Sequence, residues 1–76
     1  MITYVEKNSW TVLSTGKKCE RYAVHHSSKQ IFRYGPTDKV PKTVIDFMNT
    51  AKLDYSHDLP GDGVKTNRKY ERFVKA

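Results

Sequence analysis

Seventy-six residues, 37% of them apolar, carry a formal charge of +6 and a mean hydropathy of −0.75. A chain this short makes one small domain, burying about 60% of the surface its unfolded form exposes, and its apolar content lies above the disordered class. No run reaches the roughly eighteen apolar residues of a membrane helix, Met1 to Lys7 hold no signal-like apolar stretch, and the single cysteine, Cys19, closes no internal disulfide, so a cytoplasmic protein is expected.

Residues 1–35 read as antiparallel sheet. Ile2 to Glu6 is a short β-favourable run followed by Asn8-Ser9 as a turn, and Trp10 to Ser14 is a second run rich in β-branched and aromatic residues. Thr15-Gly16-Lys17-Lys18 supplies a glycine where a hairpin needs positive φ. Cys19 to His26 returns as a third strand. Ser27-Ser28-Lys29 makes another turn, and Gln30 to Tyr34 forms a fourth strand that stops at Gly35-Pro36. Turns centred on Gly16-Lys17 and Ser27-Ser28 set Ala23 opposite both Trp10 and Phe32. One face then collects Trp10, Val12, Ala23, Phe32 and Tyr34 as a core face. The other collects Thr11, Leu13, Tyr22, Val24, Ile31 and Arg33.

An amphipathic helix is predicted over residues 38–53, because Val40, Val44, Phe47, Met48 and Ala51 fall on one stripe. Thr37 or Asp38 serves as its cap, with Pro41 tolerated in the first turn. Residues 54–63, ending in Pro60-Gly61-Asp62-Gly63, read as a loop. Over residues 64–76, Tyr70, Phe73 and Val74 make a short helical stripe, while Tyr70, Arg72 and Val74 also alternate as a strand would. A short helix is favoured. The expected fold is α+β: a three- or four-stranded antiparallel sheet packed against one helix, with a short basic C-terminal segment. Its core would hold Trp10, Val12, Ala23, Phe32, Val44, Phe47 and Met48. In plan, strands followed by a helix over Trp10 to Leu53 is similar to the arm-site binding domains of phage integrases and to some plant DNA-binding domains. That resemblance implies strands laid in a DNA groove.

Charge is the strongest functional signal. Lys65, Arg68, Lys69, Arg72 and Lys75 lie in the last twelve residues against one acid, Glu71, so this tail carries +4 while the rest of the chain is close to neutral. Concentrated positive charge suits an anionic partner, because neutralised phosphates release their counterions. Tyr70 or Phe73 is available to stack on unpaired bases. Lys17, Lys18, Arg21, Lys29 and Arg33 form a weaker set on the sheet and its turns. The expected nucleic-acid-binding residues are Lys17, Lys18, Arg21, Arg33, Lys65, Arg68, Lys69, Tyr70, Arg72 and Lys75, against DNA or RNA.

Other chemistry is poorly supported. His25 and His26 are adjacent and would point to opposite faces of a strand, and Asp54, Asp58 and Asp62 lack the oxygen spacing of a calcium loop. No metal or other cofactor is expected. A small ribonuclease toxin would need a histidine and a cation for the phosphorane, for which His25, His57, Lys69, Arg72 and Tyr70 are available, although no known spacing is matched. The leading expectation is a non-enzymatic nucleic-acid-binding protein. The alternative is a phage- or plasmid-type accessory protein that holds or inhibits an acidic host protein, or dimerises, through Leu13, Tyr22, Val24 and Ile31.

Overall fold

The computed structural model describes residues 1–76. Five strands and one helix run in the order β1 (Ile2–Val12), β2 (Lys18–His26), β3 (Ile31–Tyr34), α1 (Lys42–Thr50), β4 (Lys52–Leu59) and β5 (Lys65–Val74). They form one antiparallel sheet in the order β3-β2-β1-β5-β4, with α1 crossing one face. The α+β class is as expected, but the sheet has five strands. No helix is long and apolar enough to cross a membrane.

Four elements differ from the sequence expectation. Asn8-Ser9 is no turn, because β1 is the central strand and Asn8 pairs with Arg21 on one side and Tyr70 on the other; pairing from two neighbours overrides a weak local turn preference. Of the stretch expected to be a loop, residues 54–59 belong to β4 and only Pro60 to Gly63 turn as expected, while the segment expected to be a short helix is β5, inserted between β1 and β4. The helix begins at Lys42 rather than near Asp38. Pro41 drives the preceding residue toward extended backbone. Asp38 instead closes a turn, its Oδ2 accepting from Gly35 N at 2.7 Å. At the other end the Thr50 hydroxyl donates to the carbonyls of Asp46 and Phe47. Ala51 is already extended there.

The core is small. Val5, Val24 and Val44 are 0%, 1% and 3% exposed, with Ile2, Tyr22, Tyr34, Val40, Phe47 and Met48 packed around them. The expected core face is thereby corrected. Val24, not Ala23, pairs with Phe32, and Trp10 pairs with Cys19. The β2–β3 register differs from the expected one by one residue, which moves Phe32 and Tyr34 to the face of Val24; the β1–β2 register differs by four, which leaves Trp10 on the face of Ala23. The helix covers the other face, so Tyr22 and Val24 lie beneath it, whereas Trp10 and Ala23 lie on the uncovered face. Val12, Phe47 and Met48 are half-buried, and Phe32 is exposed at the β3 edge.

Gly16, with φ of 69°, makes the β1–β2 turn as expected, and Lys29 takes φ of 67° in the β2–β3 turn. In the β4–β5 turn the Asp62 carboxylate accepts from the backbone N–H groups of Lys65 at 2.7 Å and Val64 at 3.0 Å. These two donors hold its carboxyl below the usual carboxylate range.

Candidate nucleic-acid interface: the open face of the sheet

With α1 on one side, the opposite face of the sheet is left to solvent, and alternation along the strands decides what it presents. In β1 the outward positions are Tyr4, Glu6, Asn8 and Trp10. Their partners on β2 are His25, Ala23, Arg21 and Cys19, and on β5 Tyr4, Glu6 and Asn8 face Val74, Arg72 and Tyr70. From β4, Tyr55 faces Arg72 and His57 faces Tyr70. Ile31 and Arg33 extend the face onto β3, opposite His25 and Ala23.

Three β-bulges set this composition. Each inserts one residue into one strand and so reverses which face the following side chains take. Between Ile2 and Tyr4 the register with β2 shifts, so Ile2 turns toward the helix and Tyr4 outward. Between Leu53 and Tyr55 a second shift leaves Leu53 opposite Phe73 and turns Tyr55 outward opposite Arg72. The third sets Trp10 opposite both Asn67 and Arg68. Asn67 takes φ of 53° there, a left-handed conformation that asparagine tolerates better than most residues. Lys65 and Arg68 are three apart and would face opposite ways in a regular strand. The bulge brings both beside Trp10.

The outward rings form two groups. Tyr4 stacks on His25 with centroids 4.0 Å apart. Tyr55, His57 and Tyr70 form a triangle of tilted contacts at 5.2, 5.5 and 6.0 Å. Trp10 lies farther along β1, with Lys65 Nζ 4.5 Å and Arg21 Cζ 5.7 Å from its ring. Arg21, Lys65, Arg68, Trp10, Asn8 and Leu59 line a cavity of about 200 Å³. The Arg68 guanidinium also donates to the Pro60 carbonyl at 3.2 Å. Arg72 stands 5.7 Å from the Tyr55 ring and is steadied by the bulge residue Asp54, with N–O distances of 3.0 and 3.1 Å.

One carboxylate sits among these groups. Glu6 Oε2 accepts from the Tyr70 hydroxyl at 2.7 Å, and Oε1 bonds to His25 Nε2. Burial alone would raise the Glu6 pKa. The hydrogen bonds from Tyr70 and His25, with the charge of His25 and Arg72, outweigh it and hold the carboxyl below its usual range. The Tyr70 phenol is pushed up to about 12, by burial and then by its bond to the Glu6 carboxylate.

The sequence-predicted residues divide between the two faces. Arg21, Arg33, Lys65, Arg68, Tyr70 and Arg72 share the open face. Lys17 and Lys18 line the groove between β2 and the helix, with Tyr22 and Met48. Lys69 pairs with Ser9 and Asp58 on the helix side, and Lys75 lies near Met1 and Phe47. The alternative protein-binding set is also dispersed: Tyr22 and Val24 are under the helix, Leu13 is in the β1–β2 turn and Ile31 is on the open face. Trp10, Tyr4, Glu6 and Tyr55 were not expected at the site. The signal for them was the alternation Tyr4-Glu6-Asn8-Trp10, which is visible only once β1 is read as one unbroken strand. Searches of family models, curated proteins and solved structures find no match to this chain.

Proposed function

We propose that the protein binds single-stranded nucleic acid on the open face of its sheet. The observation that carries this reading is the mixture on that face: outward-facing rings at Tyr4, Trp10, Tyr55, His57 and Tyr70, interleaved with Arg21, Lys65, Arg68 and Arg72. Rings stack on unpaired bases at about 1–3 kcal/mol each, and cations beside them neutralise the backbone. A duplex hides its bases from such a flat platform, so single strands fit this face better.

Fluorescence anisotropy with single-stranded and duplex oligonucleotides of one sequence tests the proposal. Tighter binding of the single strand, weakened by Tyr55→Ala, is expected. Equal affinity for both forms would point to charge alone, and no binding at low salt would remove the reading. An acidic protein ligand is the remaining alternative for the same cations. It predicts a complex that survives nuclease treatment of the lysate.

A further inference from the structure

Glu6 is at odds with simple binding. A carboxylate at the centre of a phosphate-binding face repels the ligand, yet it is fixed there by two side-chain partners rather than left to swing away. We infer that the open face also cleaves the RNA it binds, with Glu6 as general base, His57 as general acid and Arg72 as the cation for the phosphorane. This rests on the binding proposal above and departs from the expectation of a protein without catalytic activity.

The geometry distributes these roles. Cleavage within an RNA strand needs a base at the 2′-hydroxyl and an acid at the departing 5′-oxygen, on opposite sides of phosphorus. Each must come within roughly 3 Å of its own substrate oxygen. His25 is bonded directly to Glu6, too close to serve the far side. His57 belongs to β4, two strands from β1 and so roughly 10 Å away at the backbone. Tyr70 spans the interval, its hydroxyl on Glu6 and its ring 5.5 Å from that of His57. A phosphodiester seated over Tyr70 therefore meets a carboxylate at one end and an imidazole at the other. Arg72 lies alongside, directly opposite Glu6 on β5.

The ionised Glu6 carboxylate takes the 2′-hydroxyl proton as the 2′-oxygen attacks phosphorus. Arg72 stabilises the charge on the non-bridging oxygens. The bond from phosphorus to the 5′-oxygen breaks, and His57 in its imidazolium form gives that oxygen a proton. The products are a 2′,3′-cyclic phosphate and a free 5′-hydroxyl. One proton has entered at Glu6 and one has left from His57, and exchange with water restores both. No oxidant, reductant or co-reactant is needed. The same steps require a 2′-hydroxyl, so DNA is bound and left intact.

The test uses a labelled DNA oligonucleotide with one internal ribonucleotide, an all-DNA oligonucleotide of the same sequence, and a chelator in the buffer. Time-dependent scission at the ribonucleotide alone, ending in a cyclic phosphate, is expected. Positioned acid–base groups contribute 100-fold or more, so His57→Ala and Glu6→Gln should each slow scission about 100-fold at protein concentrations that anisotropy shows to saturate the oligonucleotide for that variant, which removes the weaker binding expected from loss of the His57 ring. His57 is on an exposed edge strand, so its replacement tests the chemistry even if Glu6→Gln disturbs folding. Binding without scission overturns the inference and leaves the binding proposal standing. Scission of the all-DNA strand, or undiminished scission in both variants, also overturns it. Failure to bind either oligonucleotide removes both.

Discussion

Replacing Lys65 and Arg68 together with Gln removes two of the four cations that stand beside the outward rings, and its effect can be worked out in advance. Single-strand affinity falls with log salt at a slope of about −0.7 for each phosphate neutralised. With Arg21, Lys65, Arg68 and Arg72 each meeting one phosphate, the slope is about −2.8, or roughly a 50-fold loss between 50 and 200 mM salt. The double replacement leaves two contacts, a slope of about −1.4 and roughly a 7-fold loss over the same range. Anisotropy titrations at four or five salt concentrations measure both slopes. Circular dichroism guards against a folding artefact, since Arg68 also bonds the Pro60 carbonyl. Lys17→Gln with Lys18→Gln changes the net charge equally, but those two side chains lie on the helix side. A slope that drops as far with that pair as with Lys65 and Arg68 would refute the assignment of the face.

Val44→Ala removes two methyl groups from a site 3% exposed. It should lower stability by about 2 kcal/mol, including the cavity left behind, measurable by urea denaturation. Asn67→Val places a β-branched residue at φ of 53°. It should cost on the order of 1–3 kcal/mol and weaken binding beyond that, because the bulge aims Lys65 and Arg68; Asn67→Gly should keep both properties. The Tyr70 phenol, raised to about 12 in the fold, favours the neutral form. Its contribution is therefore complete below pH 10 and disappears as pH rises toward 12. The difference in Tm between the wild type and Tyr70→Phe should shrink across that window, and a constant difference would contradict the Tyr70–Glu6 bond.

The class of fold and the helix stripe were legible because they rest on local pattern. Val40, Val44, Phe47 and Met48 are spaced for a helix whatever they pack against. The turn glycine at Gly16 was readable for the same reason. The face was harder to read, because its parts are joined by pairing between distant strands. The basic residues near the C-terminus were visible as charge, but β5 shows its two-residue alternation only from Arg68 to Val74. Asn67 breaks that alternation at the bulge. At Thr3, Asp54 and Asn67 one extra residue reverses the side on which its neighbours emerge, and composition leaves no mark of this. Trp10 is misplaced for a different reason. Its size argues for the core and no local pattern says which face the helix covers; α1 sets Val44 on the face of Val5 and Val24 and leaves the indole beside Lys65 and Arg21.

Which face meets the ligand can be seen directly by amide and side-chain NMR during titration with a short single-stranded RNA, using Glu6→Gln to prevent turnover. The largest shifts should fall on Tyr4, Trp10, Arg21, Tyr55, Arg68 and Tyr70, with Tyr22, Val44 and Met48 nearly unmoved. Shifts concentrated on the helix and its groove with β2, and an undisturbed open face, would contradict the account.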